Sequence, residues 1–188
     1  TCALPIFVDM ATATTDHEVR LTGLAPGTVY YYAIGTTTGT ALAGGDPNHF
    51  FTTAPVPGSA KPTRIWVLGD AGTADSNQAS VRDAYGSWNG GRYTDLILML
   101  GDNAYNSGTD AEYQAAVFSM YPTFLRQTNV WSTIGNHETN QATNPNIATV
   151  PYFDIFTLPV AGEAGGRPSG TEKYYSFRSE EHTSELQS

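Results

Sequence analysis

Three short motifs place polar side chains directly after apolar, β-rich segments of this chain. They are Gly69-Asp70-Ala71-Gly72, Gly101-Asp102-Asn103-Ala104-Tyr105 and Gly135-Asn136-His137-Glu138. Each motif contains a glycine, which lets the chain turn sharply where a strand ends. Because open α/β sheets bind ligands beyond the carboxyl ends of their strands, we expect the three motifs to meet in one place.

The oxygen atoms in these motifs favour a metal site. Asp70, Asp102 and Asn136 carry hard oxygen donors, and carboxylates gathered without a neighbouring Lys or Arg repel one another unless a cation lies between them. Asp102, in the middle motif, could bridge two ions. Tyr105 offers a phenolate, which favours a hard trivalent ion such as Fe(III). These four side chains are the candidate metal ligands.

An alternation of strands and helices is predicted to position the motifs. The strands are expected at 64–68, 96–100 and 130–134, and each is a short apolar or β-branched run. The middle run, Leu-Ile-Leu-Met-Leu, has no polar residue, which is typical of a strand buried on both faces. The order strand, helix, strand, helix, strand is a βαβαβ unit, which predicts parallel strands and right-handed crossovers.

Two helices are predicted to connect these strands and to pack on the sheet. The first begins at a cap on Asp75 or Ser76 and ends at Gly90-Gly91, and its inner face is expected to carry Val81, Tyr85 and Trp88. The second begins at Thr109, which has the capping-box spacing to Glu112. Its inner face is expected to carry Tyr113, Val117 and Met120, before Pro122 breaks it.

The residue pattern changes along the chain, so the predicted fold class is α/β preceded by a partial all-β sandwich. Residues 1–54 hold the sandwich, with strands predicted at Glu18–Leu21, Val29–Ile34 and His49–Thr53. Three prolines and a glycine in residues 55–62 predict a stiff linker. Residues 63–177 hold the α/β part.

The composition excludes several kinds of partner. With 188 residues, of which 40% are hydrophobic, the chain can form one or two domains with real cores. The formal net charge is −9, and the sequence has no Lys/Arg cluster, so a nucleic-acid or anionic membrane partner is not expected. No apolar run approaches the ~20 residues that span a bilayer. The oligomeric state is left open.

The three motifs resemble the first three of five motif blocks in the purple acid phosphatases, within the calcineurin-like metallophosphoesterase superfamily. The resemblance extends over residues 15–177. The spacing between Leu24 and Tyr32 is similar to the fibronectin type III pattern, in which Tyr30 would form a tyrosine corner. Related phosphoesterases usually have histidine two residues after the first aspartate. Here that residue is Gly72, and Tyr105 looks like the compensating ligand.

The resemblance implies an acid phosphatase that hydrolyses small phosphate monoesters with a metal-bound hydroxide. Asp70 and Tyr105 would bind Fe(III). Asp102 would bridge the iron to a second divalent ion (Fe, Zn or Mn), and Asn136 would bind that second ion. His137 would be the catalytic residue that contacts the phosphate or protonates the leaving group. An extracellular or periplasmic location is implied as well.

Two blocks of the family pattern, V-x-x-H and G-H-x-H, are missing from this sequence. They supply histidine ligands to both ions and are expected beyond Phe177, so we expect an incomplete piece that is inactive alone. Residues 178–188 resemble the in-frame translation of a common sequencing adapter. We expect this tail to be artefactual and His182 to have no role. Glu138 follows the family pattern and is expected only to support the ligands.

Two other functions stay open on the sequence alone. The same metal core could serve a phosphodiesterase or a nucleotide pyrophosphatase. The β-sandwich could instead belong to an extracellular binding module whose second domain is inert. Replacement of Asp102 separates these hypotheses, because an enzyme would lose turnover whereas a binding module would keep its ligand.

Overall fold

The structure is a computed structural model that describes residues 6–10, 12–15, 17–140 and 149–178, together with the backbone of 185–187. In chain order its strands are β1 (Val29–Tyr31), β2 (Ala33–Gly35), β3 (Ala41–Gly44), β4 (Phe50–Thr52), β5 (Ile65–Leu68), β6 (Leu96–Leu100), β7 (Asn129–Thr133), β8 (Ser176–Arg178) and β9 (Glu185–Gln187). Its helices are α1 (Ser76–Asn89), α2 (Asp110–Tyr113), α3 (Pro122–Leu125), α4 (Asn136–Thr139) and α5 (Tyr152–Ile155).

A three-stranded parallel sheet, in the order β5-β6-β7, carries the three motifs. Leu98, in the middle of β6, lies opposite Val67 on one side and Trp131 on the other. The predicted parallel arrangement is confirmed. Strand β5 begins one residue later than predicted, and β7 begins and ends one residue earlier. All three carboxyl ends therefore lie at the same edge.

Helix α1 has the predicted ends. The Asp75 carboxylate accepts hydrogen bonds from the backbone N–H of Asn77 and Gln78, each at 3.0 Å, and so satisfies two donors that a helix leaves open. Gly90 ends the helix with φ 61°, the left-handed conformation that glycine adopts without strain.

The predicted inner face of α1 is wrong at two of its three positions. Val81 is 56% exposed and Trp88 is 66% exposed, while the ring of Tyr85 stacks on Trp66 with 3.9 Å between centroids. The helix is instead turned so that Gln78 is buried. Its Nε2 donates to the Ala116 carbonyl and to the Tyr121 hydroxyl, and a buried amide with two acceptors is stable in the core.

The second helical segment presents its predicted inner face, because Tyr113, Val117 and Met120 are all buried. Thr109 and Glu112 form the predicted capping box at the start of α2. The segment continues as a π-helical turn, Gln114–Phe118. Pro122 then occupies the first turn of α3, where its missing N–H leaves no helical hydrogen bond unmade.

The N-terminal part forms two separate two-stranded antiparallel sheets, β1-β4 and β2-β3. The hydroxyl of Tyr30 accepts a hydrogen bond from the backbone N–H of Ala25 at 2.8 Å, so this side chain does bond back to the preceding turn. The strand predicted at Glu18–Leu21 is wrong. Its residues are exposed and pair with no strand in the described part of the chain, so the alternating pattern has no sheet to bury it.

The N-terminal sheets contact the α/β part around the turn that follows α3. The Tyr32 hydroxyl donates to the Arg126 carbonyl at 2.9 Å, and the Gln127 side chain donates to the Asn48 carbonyl at 3.1 Å. The rings of Phe50 and Tyr93 lie 5.7 Å apart. A mixture of backbone and aromatic contacts therefore joins the two parts.

The predicted linker ends at an anchored residue. Lys61 forms an ion pair with Asp95 at 2.6 Å, and the other carboxylate oxygen of Asp95 accepts from the Arg64 N–H at 2.9 Å. Before this anchor, Val56, Pro57, Gly58 and Ala60 are exposed.

Limited proteolysis should cut first between residues 56 and 60 and leave a fragment that begins close to Lys61, because cleavage concentrates in exposed loop tips that have few contacts. Mass spectrometry of the early products measures the cut. Protection of this stretch, with first cleavage within Leu96–Tyr105, would contradict the assigned boundary.

On one face of the central sheet, the described residues cover the β7 side. Trp131 stacks on Phe177 at 4.6 Å and lies 5.7 Å from the Tyr175 ring, whereas Val67 and Leu100 on the same face are exposed. Strand β8 pairs antiparallel with the backbone of β9. His182 and most of the tail predicted at 178–188 lie outside the described residues. Across the part of the chain that the structure describes, no helix has both the length and the apolar composition that crossing a bilayer requires.

Candidate metal centre

The first two motifs turn the chain through a conformation that few side chains adopt. Asp70 has φ 52° and Asp102 has φ 51°, and both lie just beyond the ends of β5 and β6. Aspartate is among the residues that tolerate this left-handed region best. The two turns are linked, because the Asp70 N–H donates to the Gly101 carbonyl and the Gly72 N–H donates to the Asp102 carbonyl, both at 3.2 Å.

Tyr105 brings the two carboxylates together. Its hydroxyl lies 3.1 Å from Oδ1 of Asp70 and 3.4 Å from Oδ2 of Asp102. Asp102 is only 8% exposed, whereas Asp70 is open to solvent. Three of the four predicted metal ligands therefore meet through one phenolic oxygen.

The phenol keeps its proton in this arrangement. Desolvation, the hydrogen bond to Asp70 and the negative charge of Asp102 together raise the pKa of Tyr105 to about 12. Each of these effects disfavours a phenolate beside two carboxylates. A cation bound between the three oxygens would reverse the balance, because its charge favours the ionised phenol.

His137 lies against the same cluster. Its backbone N–H donates to Oδ1 of Asp102 at 3.0 Å, and its ring packs edge-on to Tyr105 with 4.5 Å between centroids. Nδ1 lies 2.7 Å from the carbonyl oxygen of Asn106. Because a carbonyl oxygen only accepts hydrogen bonds, Nδ1 carries a proton, and Nε2 is the nitrogen that can take up or release one.

Asn136 is less closely tied to the cluster. It is the first residue of α4, follows Gly135 and is exposed. No described hydrogen bond joins its side-chain amide to Asp70, Asp102 or Tyr105. Its position at the end of β7 places it at the same sheet edge, and its role as a ligand stays a prediction.

The donor set fits a hard cation. Two carboxylates share one phenol, and the Lys and Arg ion pairs among the described residues involve other acids, at Asp95 and Asp83. No group of three or more His, Cys, Asp or Glu suited to a metal occurs in the described ranges. The cluster instead combines Asp70 and Asp102 with an aromatic oxygen. Oxygen donors of this kind suit a hard ion.

The backbone of the second motif leaves no room for a side chain at Gly72. A Cβ atom placed on Gly72 would overlap the backbone of Asn103 and Ala104. The Tyr105 N–H also donates to the Gly72 carbonyl at 2.9 Å. A side chain at residue 72 would therefore displace the segment that carries Tyr105.

Glu138 joins the second motif to the third. It is fully buried, and its carboxylate accepts hydrogen bonds from four backbone N–H groups. The donors are Gly135 and Asn103 at 2.6 Å and Asp102 and Ala104 at 3.1 Å. The sequence predicted a supporting role for this residue, and the structure gives it these four bonds.

One curated protein shares sequence with this chain at a distance. Purple acid phosphatase 15 of Arabidopsis thaliana is 31% identical to it over 189 aligned residues, which cover 86% of this chain and 32% of the plant protein. The chain is a distant, partial homologue of that phosphatase. It spans about a third of the relative's length, and no family model matches it. The similarity indicates a phosphoesterase-related function.

Two residues near the centre make contacts that the sequence did not predict. The Asn106 carbonyl orients His137, and the Glu112 carboxylate accepts hydrogen bonds from the backbone of Asn106 and Ser107. The capping-box spacing identified Glu112 as part of a helix start. Its second contact depends on how the preceding loop folds, and no local pattern in the sequence indicates that fold.

Proposed function

We propose that this chain carries part of the active site of a metal-dependent phosphoesterase of the purple acid phosphatase type, which acts on small phosphate monoesters outside the cytoplasm. The observation that supports this most strongly is the phenolic oxygen of Tyr105 held between Asp70 and Asp102. If the phenol were ionised, three negatively charged groups would lie together, and a cation would be needed to stabilise them. The similarity to a plant purple acid phosphatase supports the same class of reaction.

Each side chain has a distinct task in this proposal. Asp70 and Tyr105 would hold Fe(III), Asp102 would serve both the iron and a second, divalent ion (Fe, Zn or Mn), and Asn136 would hold that second ion. When bound, the two ions would lower the pKa of a water nucleophile and offset the negative charge of the phosphate. The two oxygens of Asp102 face different groups, the Tyr105 hydroxyl and the His137 N–H, which would suit a carboxylate that serves both ions.

His137 is the proposed proton donor to the leaving group. Its Nδ1–H is held by the Asn106 carbonyl, so Nε2 alone can hold the mobile proton. The edge-on contact with Tyr105 keeps the ring beside the carboxylate cluster. A general acid must lie within hydrogen-bond reach of the oxygen that it protonates, and a phosphate ester bound at the cluster would bring its leaving oxygen close to this ring.

A spectroscopic experiment tests the metal site. Fe(III) added to the chain should produce a visible tyrosinate-to-iron absorption band, and Tyr105→Phe should abolish it, because the phenolate is the donor of the charge transfer. Tyr93→Phe is the matched control, since the Tyr93 hydroxyl donates to the Gln127 carbonyl, remote from the cluster. The absorbance spectrum is recorded during titration of each protein with Fe(III).

Orthophosphate provides a second readout. It should shift the band of the wild-type chain, as expected if phosphate oxygens reach the same ion, whereas chloride at the same ionic strength should not. A wild-type chain that stays colourless with Fe(III), or a Tyr105→Phe variant that keeps the band, would refute the proposed ligand role.

A further inference from the structure

The loop that carries Asp102 and Tyr105 is held almost entirely through its main chain. We call residues 102–109 the metal loop. Every backbone N–H in it has an acceptor: Glu138 for residues 102–104, the Gly72 carbonyl for 105, Glu112 for 106, 107 and 109, and the Ala104 carbonyl for 108. Two glutamates outside the loop therefore accept six of its eight N–H groups.

Glu112 uses its two carboxylate oxygens differently. Oε1 accepts from the Asn106 N–H at 2.6 Å. Oε2 accepts from the N–H of Ser107 at 3.1 Å and from both the N–H and the hydroxyl of Thr109 at 2.9 Å. The bonds to Thr109 belong to the capping box of α2, but the bond to Asn106 reaches back three residues beyond the box.

The Asn106 bond lies next to the groups proposed to do chemistry. The N–H that Glu112 holds belongs to the peptide that directly follows Tyr105. The carbonyl of Asn106 accepts from Nδ1 of His137 at 2.7 Å and from the side-chain amide of Asn140 at 3.2 Å. A shift of residue 106 would therefore move both the phenol and the acceptor that fixes the histidine tautomer.

We infer that Glu112 is a positioning residue of the metal centre, which sets the Nδ1–H tautomer of His137 and the place of Tyr105 by holding the backbone of Asn106. The part that concerns iron rests on the proposed function. The part that concerns the tautomer does not, because it involves only residues present in the chain.

The ionisation of Glu112 is consistent with this role. Burial raises the pKa of its carboxyl, but the hydrogen bonds from Thr109, Asn106 and Ser107 lower it by more, so the pKa lies below its ordinary value. The carboxylate therefore stays charged and accepts hydrogen bonds at both oxygens.

Glu112→Gln is expected to break the hydrogen bond to Asn106 and to keep the helix cap. The amide keeps one acceptor oxygen, which can serve Ser107 and Thr109, and then turns its NH₂ group toward the Asn106 N–H. Two donors cannot bond to each other, so residue 106 moves away. Asp110→Asn removes one negative charge from the same helical turn at an exposed position. Thr109→Ala removes the capping hydroxyl and leaves the Asn106 bond.

The first readout is the tautomer of His137 in the metal-free chain, from ¹⁵N–¹H correlations of the imidazole rings recorded where the histidine is neutral. His137→Gln assigns its signal. We expect the Nδ1–H form in the wild type and both controls, and a mixture of tautomers in Glu112→Gln. The second readout is the affinity for Fe(III), measured from the absorption band. It should fall by about tenfold in Glu112→Gln and stay unchanged in the two controls. A tenfold loss is the lower end of the usual effect of a residue that supports a metal ligand.

The results that would support the inference differ from those that would contradict it. An unchanged tautomer in folded Glu112→Gln, or an equal change in Thr109→Ala, would assign Glu112 to helix capping alone and overturn the inference. A tautomer change without any iron band in the wild type would support the positioning role and contradict the proposed function. Wild-type amide exchange gives a test without a variant: the Asn106 N–H should be strongly protected, and fast exchange there would also overturn the inference.

Discussion

Replacing Asp102 with asparagine should weaken Fe(III) binding by more than the roughly 10- to 100-fold that loss of a supporting residue causes. Asparagine tolerates the left-handed backbone of this position, φ 51°, so the fold should be kept. The change removes the negative charge that lies between the Tyr105 hydroxyl and the His137 N–H. Titration with Fe(III), followed by absorbance, measures the loss.

Asp154→Asn provides the matched control for this change. Asp154 is an exposed acid on α5, so its replacement removes the same charge without touching the cluster and should leave iron affinity within about twofold. If Asp102→Asn and Asp154→Asn bound Fe(III) equally well, Asp102 would not be a ligand. Any phosphate-releasing activity should disappear with the first variant and survive the second.

Glu138→Gln should cause the largest loss of stability of any single conservative change near the site. The wild-type carboxylate accepts two N–H groups at each oxygen, so an amide nitrogen in either orientation faces two donors. Each orphaned buried donor costs about 1–3 kcal/mol, which predicts a loss of roughly 2–6 kcal/mol. Domains of this size are stable by about 5–15 kcal/mol, so part of the population would unfold.

Urea denaturation measures this effect, with the midpoint compared at constant slope. The control is Glu172→Gln, because Glu172 is half-buried and accepts a single N–H, from Leu158, at 2.7 Å. Glutamine can keep that bond through its remaining oxygen, so the loss should stay below about 1 kcal/mol. Equal losses in the two variants would show that the four bonds of Glu138 act no differently from one.

The placement of the candidate ligands could be predicted because it depends on short-range signals. An apolar strand followed by Gly-Asp fixes where the chain turns, and parallel strands bring successive turns to one edge. Asp70 and Asp102 follow this rule and meet at Tyr105. The cap at Asp75 and the left-handed end at Gly90 are equally local, and both were predicted from the residues themselves.

Features that depend on long-range partners were missed. Val81 and Trp88 are apolar and correctly spaced for an inner face, but Gln78 has buried acceptors on Ala116 and Tyr121, more than thirty residues away in sequence. The pattern at Glu18–Leu21 suited a strand and found no pairing strand in the described residues. The Glu112 contact with Asn106 also depends on the folded loop.

The main-chain bonding of the metal loop has a consequence for how this site can diversify. Since its N–H groups are held by two glutamates and by backbone carbonyls, the course of the loop does not depend on the side chains of Asn106 and Ser107. Asn106 lies toward solvent beside the cluster, and Ser107 is half-buried. Their side chains can therefore be exchanged without loss of these bonds, whereas proline, which has no N–H, is excluded at both positions. The surface beside the cluster and the course of the metal loop can therefore vary separately.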